Sequence, residues 1–158
     1  MGEDEIRRKC MTCSDVFRIR NILDPRISPD GRKVAFTVER GNLRDNRYDT
    51  DIHVVPTKDG EPVNLTGDGK SSSPRWSPDC RSIAYISGVE GGRSLWVIDS
   101  LRREKHFLAE CQAKNVRLGE VGEFLSWSPS GTMIAFVASP KSDRGTDRIM
   151  VHTKIHYR

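Results

Sequence analysis

Arg75-Trp-Ser-Pro-Asp-Cys80 runs through Arg81 and Ser82 into the apolar stretch Ile83-Ala-Tyr85. The same pattern opens at Arg26-Ile-Ser-Pro-Asp-Gly31, before Val34-Ala-Phe36, and again at Ser126-Trp-Ser-Pro-Ser-Gly131, before Ile134-Ala-Phe136. The turn serines Ser28, Ser77 and Ser128 lie 49 and 51 residues apart. Ser-Pro-Asp-Gly has a mechanism as a turn. Proline pre-sets φ at its second position, serine and aspartate bond to nearby backbone, and glycine accepts positive φ. Strands must therefore flank each copy. A self-similar period near fifty is the signature of a repeat architecture.

Short runs ending in Ile27, Trp76 and Trp127 precede the turns. Strands are expected after them at residues 33–38, 82–87 and 132–138, and further along each copy at 51–55, 94–99 and 148–153. The first set is nearly continuously apolar, as in sheets covered on both faces. Ala35, Ala84 and Ala135 keep one register, where a small residue lets a neighbouring sheet approach. Phe36, Tyr85 and Phe136 fill the opposite face. Ile52 and Val54 match Leu95 and Val97, with the longer Gly41–Thr50 hairpin absorbing the difference in spacing. Insertions at hairpin tips are tolerated.

Four short antiparallel strands per copy make a propeller blade. The expected fold is all-β: a partial β-propeller of about two and a half to three blades, with a short N-terminal helix. The expected division is a tail and helix over 1–24, then an incomplete propeller over 25–158 with repeats near 25–72, 73–122 and 123–158. A propeller closes with roughly 4–8 blades, so the repeat count implies a longer parent.

Composition is that of a globular chain. Of 158 residues, 35% are hydrophobic and 30% charged, and the net charge of +4 is mixed in sign along the chain. That pattern is a solvated surface rather than a nucleic-acid footprint. The N-terminus lacks the apolar core of a secretory signal, and no stretch has the length of a membrane span, so a cytoplasmic location without membrane association is expected. Residues 3–24 read as helical: Glu3/Arg7, Asp4/Arg8 and Glu5/Lys9 are i,i+4 pairs. Ser14 is the expected cap of a second segment whose apolar face is Val16, Ile19 and Leu23, ended by Pro25.

Several residues invite chemistry and are better explained otherwise. Ser28, Ser77 and Ser128 lie in turns, and the chain has no G-x-S-x-G elbow to strain a serine into a nucleophile. Cys10-Met-Thr-Cys13 has C-x-x-C spacing, but Cys80 and Cys111 form no second pair to complete a zinc site, so four unpaired thiols are expected. His152 and His156 sit on an alternating strand pattern about 13 Å apart at 3.3 Å per residue, too far to share a metal. Asp45, Asp49 and Asp51 lack the glycine hinge and terminal acid of a calcium loop. Trp76, Trp96 and Trp127 occupy repeat-locked registers that suit packing better than base stacking. Neither metal nor cofactor is expected, and the chain alone is expected to be non-catalytic.

Pro74-Arg-Trp-Ser-Pro-Asp79, with Ser82-Ile-Ala-Tyr85 and Leu95-Trp-Val-Ile-Asp99, resembles the WD-like repeat of TolB-type propellers. Asp15-Val-Phe-Arg-Ile-Arg20, leading into Asp24-Pro-Arg-Ile-Ser-Pro-Asp-Gly31, is similar to the start of acylaminoacyl peptidases of the prolyl oligopeptidase family. Asn46–Ile52, Asn64-Leu-Thr66 and Arg148–Arg158 fit the same family. The resemblance implies an N-terminal propeller over a C-terminal α/β-hydrolase domain, admitting peptides and excluding folded proteins. The catalytic serine, aspartate and histidine would lie in that domain, outside this chain. Cys80, where the repeat has glycine, and Ser130, where it has aspartate, are departures. The partners implied are further blades, the hydrolase domain and, in the full enzyme, peptide substrates. The alternative is a TolB-like scaffold for protein–protein interaction. The third sheet is expected to leave Ile134, Phe136, Ile149 and Val151 bare, which favours self-association.

Overall fold

The computed structural model describes residues 11–89, 92–111 and 125–136. After α1 (Cys13–Val16), the first sheet holds β1 (Arg20–Ile27), β2 (Lys33–Asn42), β3 (Arg47–Pro56) and β4 (Val63–Asn64). The second holds β5 (Ser71–Trp76), β6 (Ser82–Val89), β7 (Gly92–Asp99) and β8 (Lys105–Cys111). β9 (Leu125–Trp127) and β10 (Ile134–Phe136) form a third sheet. Strand order within each sheet is sequential and every pair is antiparallel. The first strands β1, β5 and β9 are neighbours from sheet to sheet, so they form a common inner edge. This is the blade arrangement of a propeller.

The repeat register holds in space. Ala35 pairs with Arg26, Ala84 with Arg75 and Ala135 with Ser126. Ala35 and Ala84 are both 0% exposed. Ala35, with Ile52 and Val54, packs on Trp76, Ile83, Tyr85 and Ile98 of the second sheet. Ala84, with Leu95 and Val97, packs on Leu125, Ile134 and Phe136 of the third. Each sheet thus presents alanine forward and an aromatic ring backward. Burying each large apolar side chain contributes about 1.5–3 kcal/mol, so most of the described core lies between sheets.

That geometry corrects one expectation. Ile134 and Phe136 are buried, because they face back onto the second sheet; the exposed residue of the strand is Ala135. Ile149 and Val151, the strand at 148–153 and the His152/His156 pair lie outside the described residues. The expected strands at 33–38, 51–55, 82–87 and 94–99 fall within β2, β3, β6 and β7, and the one near 132–138 includes β10.

Among the described residues of the expected helical stretch, the helix is shorter than the pattern suggests; the pairs Glu3/Arg7, Asp4/Arg8 and Glu5/Lys9 lie outside those residues. α1 has four residues, capped by Thr12 rather than Ser14. The Asp15 carboxylate accepts from the Thr12 N–H at 2.8 Å and the Thr12 hydroxyl at 2.7 Å, which holds it below the usual carboxylate range. From Arg20 the chain is strand, because β2 offers a ladder that a solvated helix cannot match. Phe17 lies over Gly41, where a Cβ would come within 2.6 Å of its ring. Cys10 lies outside the described residues.

Candidate functional site: the turn end of the blades

The three turns close alike. The Gly31, Cys80 and Gly131 N–H groups donate to the carbonyls of Ser28, Ser77 and Ser128 at 2.8, 3.0 and 2.9 Å. The closing residue has φ of +70, +62 and +72° respectively, the left-handed region that glycine adopts without strain. Cys80 is therefore the strained member, and its thiol is free.

In each turn the serine hydroxyl is engaged in its own loop. Ser28 Oγ donates to Asp30 at 2.6 Å and accepts from the Lys33 N–H at 2.9 Å. Ser77 Oγ repeats this with Asp79 at 2.6 Å and the Ser82 N–H at 2.9 Å. The hydroxyl bond is the main cause that holds the carboxyls of Asp30 and Asp79 below the ordinary range; the Arg32 N–H adds to it at Asp30, whereas at Asp79 burial opposes it more than the Arg81 N–H adds. The third turn substitutes hydroxyls for the carboxylate. Ser128 and Ser130 Oγ are 3.1 Å apart, and Ser130 Oγ lies 2.7 Å from Thr132 Oγ1. Ser130, a departure from the repeat's aspartate, thus keeps the side-chain tie of the loop through hydroxyls alone.

The tryptophans before the turns tie blade to blade. Trp76 Nε1 donates to the Arg26 carbonyl at 3.0 Å, and Trp127 Nε1 to the Arg75 carbonyl at 3.0 Å. Trp96 lies further out, edge-on to Phe107 with ring centroids 5.5 Å apart, its Nε1 donating to Ser94. All three serve packing, as their registers imply.

A second tie comes from matched backbone irregularities. The β1–β2 register shifts between Leu23 and Arg26, and the β5–β6 register between Ser72 and Arg75. Asp24 and Ser73, each before a proline, have φ of +48 and +59°. A proline cannot donate to a ladder, so it sits where the ladder breaks. The break turns Asp24 toward the next blade. Arg75 Nη1 donates to Asp24 Oδ2 at 2.6 Å and to the Pro74 carbonyl at 2.7 Å, and Arg26 Nε holds Asp24 Oδ1 at 2.7 Å. The sequence reading passed over this cluster, although Arg26 and Arg75 share a repeat position.

Two open clefts flank these ties. One, of about 560 Å³, lies between the second and third turns against Asp79, Arg81, Asp99, Trp127 and Gly131. The other, of about 530 Å³, lies along the inner strands against Arg26, Ile27, Trp76, Ser126 and Trp127. Their walls mix indole, proline and hydroxyl groups with the charged side chains of Asp79, Arg81 and Asp99 in the first and Arg26 and Arg75 in the second.

Asp45, Asp49 and Asp51 lie together at the β2–β3 hairpin. Asp49 pairs with Arg47 Nε at 2.9 Å and accepts from Asn42 at 2.8 Å. Asp51, 3% exposed, accepts from the Gly69 N–H at 3.0 Å and from Thr66 Oγ1 at 3.2 Å, with Arg40 at 3.6 Å. The cluster is a polar lock on the hairpin. Among the described residues, no three His, Cys, Asp or Glu side chains are grouped to hold a metal ion. No helix among them is long and apolar enough to cross a membrane.

No protein-family model matches the chain. Over 134 residues, 84% of its length, it is 33% identical to the uncharacterized peptidase YuxL of Bacillus subtilis. The chain matches the propeller portion of a peptidase. It spans only 19% of that relative. The Tol-Pal system protein TolB of Francisella tularensis is 29% identical over 113 residues, 72% of this chain and 23% of TolB. Among solved structures, the acylaminoacyl peptidase of Pyrococcus horikoshii superposes with a TM-score of 0.65 at 24% identity, over 83% of this chain and 20% of that one. The β-propeller domain of the trilobed protease from Pyrococcus furiosus, described as having an open velcro topology, gives 0.60 at 24% identity, over 76% and 34%. These superpositions show the propeller fold.

Proposed function

We propose that this peptidase-type propeller segment is the non-catalytic part of a cytoplasmic serine oligopeptidase. Its repeats near 25–72, 73–122 and 123–158 are successive blades. In the full protein they gate peptide access to an α/β-hydrolase domain that carries the catalytic serine, aspartate and histidine. The observation that carries this reading is the 33% identity to a peptidase over 84% of the chain, within 19% of that peptidase's length. The geometry supports it: in the three turns, each serine hydroxyl is engaged in its own loop.

The test compares this chain with its full-length parent. A fluorophosphonate probe is expected to label the parent in its hydrolase domain and to leave the 158-residue chain unlabelled. Loosening the blade stack in the parent by Trp76→Ala is expected to raise turnover of long peptides relative to short ones. Labelling of a serine in this chain, or a length profile unmoved by Trp76→Ala, would count against the proposal.

The TolB match supports a second reading, a scaffold that recruits protein partners. A parent that fails to react with the probe at any serine would favour it.

A further inference from the structure

Asp30-Gly31, Asp59-Gly60 and Asp68-Gly69 are the three Asp-Gly pairs of the chain. Such a pair carries a chemistry of its own. The glycine amide nitrogen attacks the aspartate Cγ, unhindered by a side chain. The Cγ–N bond forms as the Cγ–OH bond of the acid breaks, and the amide proton leaves with the hydroxyl as water. Water then opens the resulting succinimide ring. Addition at Cγ restores aspartate. Addition at the main-chain carbonyl carbon breaks its bond to nitrogen and reroutes the chain through Cβ and Cγ, giving isoaspartate. One water leaves and one returns, so the change needs neither cofactor nor enzyme.

The fold treats the three pairs unequally. At Asp30-Gly31 both reacting groups are held. The carboxylate accepts from Ser28 Oγ at 2.6 Å and from the Arg32 N–H at 3.1 Å, while the Gly31 N–H donates to the Ser28 carbonyl at 2.8 Å. At Asp68-Gly69 the carboxylate accepts from the Lys70 N–H at 2.9 Å and from Ser71 Oγ at 2.8 Å, while the Gly69 N–H donates to Asp51 Oδ1 at 3.0 Å. Asp59 and Gly60 lie in the exposed loop between β3 and β4. Among the described residues, neither the Asp59 carboxylate nor the Gly60 N–H has a hydrogen-bond partner.

We infer that Asp59 is a modification site, the one Asp-Gly pair of this chain that converts spontaneously to isoaspartate in the folded state. The product bears on the first sheet. Isoaspartate adds one carbon to the main chain inside the loop that sets β4 on β3. Gly60 already lies tight against Pro56, where a Cβ would come within 2.7 Å of Pro56 Cγ, so the added carbon displaces a close contact. The ladder that holds β4 is only His53–Asn64 and Val54–Val63. Leu65, buried against the second sheet, follows it directly. Conversion therefore loosens the outer edge of the first blade.

Prolonged incubation of the folded 158-residue chain in heavy-oxygen water at neutral pH tests this, because each ring opening inserts one heavy oxygen. Peptide mapping, with fragmentation that assigns label and isomer to a residue, reads the three sites separately. Label and isoaspartate at Asp59 are expected to exceed those at Asp30 and Asp68 by about tenfold or more, since the latter two must first break their hydrogen bonds. In urea all three should label to a similar extent, which isolates the fold as the cause. Asp59→Glu, whose longer side chain closes a ring far more slowly, should remove the signal at that position and leave the other two unchanged. Equal labelling of the three sites in the folded chain, no labelling at Asp59, or the same preference for Asp59 in urea would each overturn the proposal.

Discussion

Arg75 reaches across the first blade interface to Asp24, with Nη1 2.6 Å from Oδ2 and its own side chain only 11% exposed. The two residues are fifty-one positions apart and are brought together by a register break at the same place in consecutive repeats. Asp24→Asn should therefore destabilise the chain by about 2 kcal/mol, because it removes the charge from a partly buried pair. Asp30→Asn at the exposed Arg32 pair, 4.0 Å apart, should lose no more through that ion pair than the small amount typical of surface pairs. Parallel urea titrations of the two variants check the difference.

The indole bonds make a second comparison. Trp76 is 8% exposed, whereas Trp127 is only partly buried. Trp76→Phe keeps most of the ring and removes the donor to the Arg26 carbonyl. It should cost about 1–2 kcal/mol, and Trp127→Phe less. Equal shifts in the denaturation midpoint would contradict the ranking.

Cys80 occupies a backbone conformation that glycine adopts freely, at φ +62°. A left-handed residue with a side chain costs roughly 1–2 kcal/mol, against roughly 0.5–1 kcal/mol of entropy lost by glycine on folding. Cys80→Gly should raise stability by about 0.5–1 kcal/mol and improve the match to the other two turns. A fall in melting temperature would show that the thiol contributes packing that outweighs the strain.

Asp79 ties a turn to pH. Its folded carboxyl sits below the ordinary value chiefly because the Ser77 hydroxyl donates to it. A carboxyl depressed on folding stabilises above its unfolded pKa, near 3.9, and that contribution is lost as pH falls through the lower folded value. Ser77→Ala should move the Asp79 titration up toward about 3.9, as read by carboxyl carbon NMR. It should also shrink the acid-side loss of stability below about pH 4. The third turn has Ser130 at this position and should show no such dependence.

Much of the fold was legible because its signals are local and repeated. Proline, serine and glycine fix each turn within four residues, and the alanine register shows through alternation alone. The N-terminal segment was not legible in the same way. Val16, Ile19 and Leu23 satisfy a helical period, but Leu23 pairs with Thr37 in a ladder supplied by β2, and no local pattern reports that partner. The Asp24–Arg75 tie was hidden for a related reason. It depends on backbone irregularities that swing one side chain toward another blade, and proline marks only where such a break is allowed. The direction in which Ile134 and Phe136 face was misread because an apolar strand pattern does not say which of its two neighbours arrives first.

The alanines carry a consequence for the geometry of a whole ring. The angle between neighbouring sheets, taken once per blade, must sum to a full circle. Near the inner edge, that angle depends on how closely β2 and β6 can come to the sheets beyond them, and there Ala35 and Ala84, both fully buried, place only a methyl group in the interface. Farther out, Leu65 and the Lys105 bond to the Thr66 carbonyl hold the sheets apart at a wider radius. The ratio of the two gaps is a wedge. A bulkier residue at the narrow end would blunt that wedge and change how many blades complete the circle, so side-chain volume at two radii acts as a counting device.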